Sequence, residues 1–530
     1  MRVDRETARI IQALKLPRYM IGVIPKTLSS LIAGNLGLAD NLKILEMMSV
    51  PLSQANLDFL CNVVVTSTTL EQLHLSCCWH EGGSLFSRLS KKYKSLAKAI
   101  GSSESLQILR ISRTVMVYEG FLADLFAGSA HKLKKLILSR SIIESPSILA
   151  VQNALEHPEC QIQHLNLSGI PQGSDITPIA NALEVNTSLK EFLLSSRYHL
   201  PDDSAEALAN ALRVNSTLES IKMCDVDIGA ENNTFSTEGW KSFSKGLKES
   251  QGIHYLDISG NDFVVRGVLN LFRATGIQYL LDGLEENQSV THFTMQDISA
   301  DPHSFDLIGD FIQTRNFKLL NISNISNSEY MFRSYKGLPD RFLWSVAHRV
   351  ASNGGMEVLK IANIRMEGPN GLKTIIRALA NNTTLRELDI SENREDHLLR
   401  ELADALTSNQ HLLKLNLKDI ALATDDFQYF AKCLPKMKGL ESIVFGELND
   451  TFADALLSGL KDNDTLKHMD GPFGDGSCWR KIDFYLRWNR GGRKILKMAP
   501  PSVLLPKILS RSRNGPDVLF EILRGIQLHA

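Results

Sequence analysis

Cysteine is scarce in this sequence, and long apolar runs and an excess of charge of one sign are absent. The 530 residues include seven cysteines and no Cys-x-x-Cys pair, so we expect neither a disulfide framework nor structural zinc. No apolar run reaches the roughly 18 residues of a membrane span. The formal net charge of -1 excludes a globally basic nucleic-acid binder.

Signals for export and for catalysis are missing as well. The first ten residues are rich in charge and lack the apolar core of a signal peptide, which together with the unpaired cysteines predicts a cytoplasmic location. The sequence contains no GxxxxGK(S/T) phosphate loop and no GxSxG, HExxH or GxGxxG motif. We therefore expect no enzymatic activity, cofactor, metal, small-molecule substrate or nucleotide-binding module.

What the sequence does contain is an internal repeat. Apolar residues recur at positions 1, 4 and 6 of a short segment, as in Leu70, Leu73 and Leu75, and successive copies start 26 to 39 residues apart. Fifteen copies run from Leu42 to a truncated one at Leu466. Alternate side chains of a strand point to opposite faces, so positions 4 and 6 predict a short strand with one buried face.

Between the strands, apolar residues at i and i+4, such as Leu208 and Leu212, predict an amphipathic helix. An Asn follows several of these helices, and we interpret it as a residue that leaves the helix through the left-handed region. The resulting Asn-x-Ser/Thr triplets are then helix-to-strand joints rather than glycosylation sites. They begin at Asn186, Asn215, Asn382 and Asn463.

A strand and a helix every 27–29 residues have the period of a leucine-rich repeat. The unit resembles the ribonuclease-inhibitor-like subfamily, which includes the sensor regions of NOD-like receptors and the activator of the Ran GTPase. The predicted fold is an α/β leucine-rich repeat solenoid, a horseshoe of about 15 strand–helix repeats with a parallel concave sheet and helical caps. At position 9 of the repeat, Cys78, Asn261 and Asn393 match the family's Asn or Cys, and most other repeats carry an apolar residue.

Three domains are predicted. Residues 1–41 form an N-terminal helical cap, residues 42–471 the solenoid, and residues 472–530 a basic helical C-terminal cap. Between Arg480 and Arg513 ten Lys or Arg residues and one acid give a net charge of +9. Alternatives for this end are a basic patch that contacts nucleic acid or another anionic surface, and a SOCS-box-like helix, although Asn489 stands where that motif has Cys.

A partner would meet positions 3, 5 and 7 of the strands, which point away from the core. Acids and bases are mixed there, and a mixed surface suits a protein better than a polyanion. The serines that recur at position 7 are interpreted as satisfying the strand-end backbone. The predicted partner-binding residues of the concave face are His74, Arg110, Tyr255, Asp257, His292, Lys360, Glu387, Asp389, Lys414 and Asn416.

Four intervals are longer, at 35 to 39 residues, and therefore carry insertions, which in repeat proteins often lie on the binding face. The last insertion, residues 327–350, interleaves aromatic side chains with Arg, as interface hot spots do. Its predicted partner-binding residues are Tyr330, Phe332, Arg333, Tyr335 and Trp344. The alternative is a lengthened helix that packs these rings on the convex side.

These patterns predict a non-enzymatic scaffold that binds a protein partner on the concave face or the inserted loops. The resemblance leaves two alternatives open, a GTPase-activating regulator of the Ran type and a ubiquitin-ligase substrate receptor. The C-terminal end is basic, whereas the Ran regulator has an acidic tail.

Overall fold

The computed structural model divides into two compact units, unit 1 (Met1–Val290) and unit 2 (Thr291–Ala530). Each unit alternates short strands with helices in chain order. The described residues are 13–16, 41–50, 52–78, 86–113, 120–128, 130–139, 145–170, 174–196, 200–224, 235–261, 275–327, 337–364, 371–471, 477–491 and 493.

Unit 1 holds one parallel sheet in which each described strand pairs with the next along the chain. Its strands are β1 (Ala13–Leu16), β2 (Ile44–Met48), β3 (Gln72–Ser76), β4 (Ile108–Ser112), β5 (Lys135–Ile137), β6 (His164–Ile170), β7 (Glu191–Ser196), β8 (Ser220–Lys222) and β9 (Tyr255–Asp257). Its helices are α1 (Gln54–Thr66), α2 (Phe86–Gly101), α3 (Phe121–Phe126), α4 (Ser145–Glu156), α5 (Thr177–Val185), α6 (Asp202–Val214), α7 (Thr237–Glu249) and α8 (Thr275–Glu286), with a 3-10 turn at Ala130–Lys132.

Unit 2 continues the same alternation. Its strands are β10 (His292–Thr294), β11 (Ser299–Ala300), β12 (Leu319–Asn321), β13 (Ser326–Asn327), β14 (Val358–Lys360), β15 (Glu387–Asp389), β16 (Lys414–Leu417), β17 (Ser442–Phe445) and β18 (His468–Asp470). Its helices are α9 (Pro302–Thr314), α10 (Asp340–Ala351), α11 (Gly371–Leu379), α12 (Leu398–Ser408), α13 (Thr424–Cys433), α14 (Asp450–Leu460) and α15 (Ser477–Arg490), with a 3-10 turn at Leu434–Lys436. Strands β11 and β13 pair only with each other, in a small parallel sheet that the repeat pattern does not predict.

The core of each unit consists of the apolar positions that define the repeat. Position 4 pairs with position 4 across the sheet, for example Leu45 with Leu73 and then Leu109 in unit 1, or Leu359 with Leu388 in unit 2. Residues at positions 1, 4 and 6 of the fourteen complete copies, and at positions 1 and 4 of the truncated last copy, are at most 6% exposed. The α/β leucine-rich repeat fold class is thus confirmed: a parallel ladder stacks equivalent side chains, so each repeat buries its apolar edge against its neighbours.

Close helix contacts complete the stacking. At Gly246 of α7, an added Cβ would lie 2.4 Å from the backbone oxygen of Ala209 in α6. At Gly459 of α14, it would lie 2.1 Å from the backbone oxygen of Ala431 in α13. No other residue fits at such a distance, so these two glycines let adjacent helices approach each other.

The start of unit 1 differs from the predicted helical cap. Residues Ala13–Leu16 form strand β1, which pairs in parallel with Ile44–Met47 of β2. A further strand satisfies the backbone N–H and C=O groups that β2 would otherwise leave unpaired at the edge of the sheet. The other residues of 1–41, apart from Asn41, lie outside the described part of the chain. The predicted boundaries at 41 and 471, and the single solenoid between them, stay predictions.

The Asn residues after the helices do not adopt the left-handed conformation that we expected. Asn186, Asn215 and Asn409 have φ of -74°, -77° and -81° and an extended backbone. Their side chains explain why Asn recurs. In Asn186, Nδ2 donates to the carbonyl of Leu155 one repeat earlier (2.7 Å), while Oδ1 accepts the N–H groups of Ser188 and Leu189.

The same arrangement recurs along both units and forms a ladder of buried amides, which we call the joint ladder. Its members are Asn186, Asn215, Asn287, Asn382, Asn409 and Asn463, each at most 7% exposed. Each Nδ2 donates to a backbone carbonyl of the preceding repeat at 2.6 or 2.7 Å. Because buried donors and acceptors must be satisfied, the joint ladder stabilises the turn between helix and strand.

Candidate functional site

The surface that the sequence singled out is built by the alternation of strand side chains. In β2, Leu45 and Met47 are fully buried, whereas Ile44 and Glu46 are half-buried and Met48 is exposed. The same alternation holds for the neighbouring strands, and the parallel register aligns equivalent positions. We call the surface formed by positions 3, 5 and 7 the strand face of each unit.

All ten residues predicted for the concave face lie on these strand faces. His74, Arg110, Tyr255 and Asp257 belong to unit 1. Unit 2 carries the other six, His292, Lys360, Glu387, Asp389, Lys414 and Asn416. The structure does not gather them into one cluster, because they are spread over β3, β4 and β9 in unit 1 and over four strands in unit 2. Their role in binding stays a prediction.

In unit 1, strands β6 to β9 carry a cluster of paired charges that the sequence did not predict as a unit. His164 Nδ1 lies 2.6 Å from Glu191 Oε2, and Lys222 Nζ lies 2.5 Å from Glu191 Oε1. The ammonium of Lys222 also lies 5.3 Å from the ring centre of Tyr255, within cation–π range. Only the strand register shows that these side chains meet, because the contacting residues are 27 to 33 positions apart in sequence.

Electrostatics inside this cluster favour the ionised forms of Glu191 and Lys222. The hydrogen bond from His164, followed by that from Lys222, outweighs partial burial and lowers the pKa of Glu191 to about 2. Partial burial works against the ammonium of Lys222, but the hydrogen bond and charge of Glu191 nevertheless raise its pKa. The cluster is therefore neutralised from within and offers a partner little unbalanced charge.

Asp257 differs from the surface residue that we predicted. It is 9% exposed, and its Oδ1 accepts hydrogen bonds from the backbone N–H and the hydroxyl of Ser259. Asp389 makes the same pair of contacts with Ser391, at 3.0 and 2.7 Å, but stays half-buried. An acid at position 5 thus accepts both the backbone N–H and the hydroxyl of the serine at position 7, so in these two repeats the carboxylate, and not the serine hydroxyl, satisfies the backbone of the strand end.

Strands β4 and β5 of unit 1 carry cations that, unlike Lys222, have no acidic partner among the described residues. Arg110 and Lys135 are exposed, and neither forms an ion pair with any residue that the structure describes. The register places Arg110 beside Ile137 and Lys135 beside Ile108, so the two cations lie on adjacent strands two positions apart. His74 pairs with Arg110 in the register on the other side.

In unit 2 the strand face carries a mixed patch. Glu387 lies between two cations, with Lys414 Nζ at 3.4 Å and Lys360 Nζ at 3.8 Å from its carboxylate oxygens. The register sets Lys360 beside Asp389 and Asp389 beside Asn416. Because Lys414 is 65% exposed and the other side chains of these ion pairs about a third exposed, solvent screens the pairs and both signs remain accessible.

Comparison with known proteins agrees with this geometry, although no model of a protein family matches the chain. It is 26% identical over 227 residues to NACHT, LRR and PYD domains-containing protein 5 of Bos taurus, which covers 41% of the chain and 18% of that protein. The Mus musculus protein of the same name is 22% identical over 324 residues, 56% of the chain and 26% of that protein. The matching parts are leucine-rich repeat regions.

The chain has the fold of a leucine-rich repeat protein. It spans about a quarter or less of the length of these two relatives. Among solved structures, a leucine-rich repeat protein of Leptospira interrogans covers 88% of the chain and 97% of its own length, with 14% identity and a TM-score of 0.37.

The last insertion of the leucine-rich repeat protein is described only in part. Tyr330, Phe332, Arg333 and Tyr335 lie outside the described residues. Trp344 belongs to α10 and is 69% exposed. Phe342 of the same helix is fully buried and lies 5.4 Å from the ring of Phe305. Helix α10 thus packs one ring into unit 2, as the helical alternative expected, and presents another to solvent.

In the basic C-terminal segment, one cation is buried against backbone carbonyls of the last repeat. Arg493 is 6% exposed, and its Nη1 donates to the carbonyls of Leu460 and Asn463, both at 3.1 Å. The Asn489 amide donates to the carbonyls of Asn463 and Leu466. Arg493 and Asn489, which stands where the SOCS-box-like motif has Cys, therefore both bind the end of the repeat stack. Sequence patterns missed this role because it depends on carbonyls about 30 residues away.

Two features are absent from the described part of the chain. Within it, no group of three or more His, Cys, Asp or Glu side chains could hold a metal ion. Nor does it contain a helix long and apolar enough to cross a membrane.

Proposed function

We propose that this leucine-rich repeat protein is a non-enzymatic scaffold that binds a protein partner through its strand faces. The observation that carries the proposal is the register of the parallel sheets, which aligns half-buried polar side chains over buried positions 4 and 6. Side chains held on strands lose little conformational freedom on binding, so a surface of this kind is preorganised for a partner. The leucine-rich repeat regions of the relatives support this function in general terms.

The mixed patch of unit 2 favours a protein over a polyanion as the occupant. Glu387 and Asp389 lie among Lys360 and Lys414, so positive and negative groups alternate within a few ångströms. A nucleic acid would meet repulsion from both carboxylates, whereas a protein surface can match both signs. Electrostatic matching of this kind mainly determines specificity and the rate of association.

A charge-reversal experiment tests the proposal. The tagged full chain, purified and exposed to extract of its native cell, should retain one or more proteins in fixed proportion, as quantified by mass spectrometry. Replacing Glu387→Lys together with Asp389→Lys should reduce retention at least about tenfold, because two accessible contacts become repulsive. The matched control, Asp425→Lys with Asp462→Lys, changes the same charge at exposed residues outside the strands and should retain the wild-type set.

The result also decides between surfaces. If the strand-face variant keeps its partner and Trp344→Ala loses it, the binding site lies at α10, whose exposed indole is the kind of side chain that dominates interfaces. If the wild-type chain retains nothing in fixed proportion, the scaffold proposal is wrong.

We further propose that the protein acts in a reducing compartment such as the cytoplasm. All seven cysteines are free thiols, and Cys78 and Cys433 are buried. Burial raises the pKa of the Cys78 thiol to about 11, which disfavours the reactive thiolate. The Asn residues of the sequence triplets support the same location, because their amide nitrogens donate to buried carbonyls and are not accessible for glycosylation.

A further inference from the structure

The strand face of unit 1 changes its electrostatic character between neighbouring strands. In β6 to β8, the carboxylate of Glu191 neutralises Lys222 and accepts from His164. In β4 and β5, the exposed Arg110 and Lys135 have no such counter-charge among the described residues. The same sheet therefore contains a self-neutralised part and a part with unbalanced positive charge.

The unbalanced part is bounded by named positions. We call the positions 3, 5 and 7 of β3 to β5 the cationic face. These nine positions contain no acid: they are Gln72, His74, Ser76, Ile108, Arg110, Ser112, Lys135, Ile137 and Ser139. With strands about 4.8 Å apart and a rise of about 3.3 Å per residue, the Cα atoms of Arg110 and Lys135 are separated by roughly 8 Å.

Apolar and hydroxyl groups surround the two cations. Ile108 is half-buried and Ile137 is 8% exposed, so each cation stands beside an isoleucine in the register. The hydroxyls of Ser112 and Ser139 bind each other at 2.8 Å at one end of the face. An arginine next to apolar side chains is a combination that is enriched at protein interfaces.

We propose that the cationic face docks an acidic segment of a protein partner. Two carboxylates of that segment pair with Arg110 and Lys135, and an apolar side chain between them packs against Ile108. Two cations within one isoleucine-lined patch match a short acidic peptide, whereas a nucleic acid requires a longer positive track along its phosphates. This inference rests on the proposed scaffold function and adds the chemistry of the partner at unit 1.

A direct binding measurement tests it with the full chain. The probe is a fluorescein-labelled peptide of about twelve residues with Glu and Leu spaced by Gly and Ser, followed by fluorescence anisotropy. Binding should weaken at least about tenfold in Arg110→Ala with Lys135→Ala, and it should also weaken as salt is added. The same peptide with Gln in place of Glu should bind the wild type no more tightly than the Glu peptide binds the double variant.

A matched control uses cations of unit 1 that already have partners. Lys190→Ala with Lys248→Ala removes two exposed ammonium groups paired with Glu219 and Glu286, and it should leave peptide affinity unchanged. Equal loss in both double variants, or no binding of the acidic peptide to the wild type, would overturn the inference. Tighter Arg110-dependent binding of a single-stranded oligonucleotide of similar charge would overturn it in favour of nucleic acid.

The set of proteins that each variant retains from cell extract distinguishes failure of this inference from failure of the proposed scaffold function. If Arg110→Glu with Lys135→Glu keeps every protein that the wild type retains, while the Glu387 and Asp389 reversal removes them, the cationic face is not the docking site and the scaffold proposal stands. If the wild type retains no protein, the scaffold proposal itself fails. Both cations are exposed, so the thermal unfolding of the variants should match that of the wild type.

Discussion

Two glutamates of unit 2 show that burial of a carboxylate and pairing of a carboxylate shift its pKa in opposite directions. Glu395 is 9% exposed, and both of its carboxylate oxygens are buried. Burial raises its pKa to about 7, although the ammonium of Lys373 at 4.0 Å partly offsets this effect. Glu401 instead pairs with Arg377 at 2.9 Å, and that hydrogen bond lowers its pKa.

The pKa of Glu395 leads to a prediction about pH. Because the folded-state pKa lies above the ordinary value of 4.5, its stability contribution is fully present below pH 4.5 and is lost as the pH rises through about 7. Glu395→Gln removes this loss, so the variant should be more stable than the wild type at alkaline pH by about 3 kcal/mol. The difference should shrink towards acidic pH in urea unfolding curves.

A control for this prediction is Glu401→Gln. It removes the partner of Arg377 and should slightly lower stability at neutral pH, opposite in sign to the first variant. If Glu395→Gln destabilises the protein at alkaline pH, the carboxylate has a favourable ionised partner and our reading of its environment is wrong.

At the scale of elements, the joint ladder connects each helix to its following strand. Asn382 Nδ2 donates to Val350 O at 2.6 Å, and its Oδ1 accepts from the N–H groups of Thr384 and Leu385. One side chain thus satisfies a carbonyl of the preceding helix and two donors of its own turn. An aliphatic residue would leave the two N–H groups of the turn unsatisfied, and the carbonyl of Val350 would keep only the long hydrogen bond from the N–H of Asn353 (3.4 Å).

Asn382→Ala should therefore lower the free energy of unfolding by about 3 kcal/mol. The neighbouring Asn381→Ala is a close control, because Asn381 is exposed and should change stability by less than about 0.5 kcal/mol. Chemical denaturation followed by circular dichroism gives both values. Equal stability of the two variants would mean that the joint ladder does not stabilise the turns.

At the scale of the whole chain, repeats contact only their neighbours, so the stack depends on how its last repeats are covered. Arg493 donates to carbonyls of α14 and of the turn before β18, and it lies 4.4 Å from the ring of Trp488. The buried guanidinium of Arg493 thus donates hydrogen bonds to backbone carbonyls that the last repeat would otherwise leave unpaired.

Arg493→Ala should open those terminal repeats selectively. Amide hydrogens of α14 and β18 should exchange at least about tenfold faster, while those of β14 stay protected, because local opening in a repeat stack spreads from its end. Arg490→Ala, which removes an exposed side chain 3.8 Å from Asp483, should leave the exchange rates unchanged. Uniform acceleration over unit 2 would contradict a capping role.

The sequence by itself determined the repeat, its strand and helix segments and the residues of the core. The reason is that burial in this fold follows a local period: positions 1, 4 and 6 are apolar and buried in all fourteen complete copies. The same period placed His74, Arg110 and Lys360 on a strand face, since alternation fixes which way a strand side chain points.

Only the tertiary structure decided which of those side chains have partners. Glu191 neutralises Lys222, whereas Arg110 and Lys135 have no ion pair among the described residues. Strand β1 and the role of the joint ladder belong to the same category. These contacts join residues about 30 positions apart, and their distances depend on side-chain reach across the register, which no local pattern encodes.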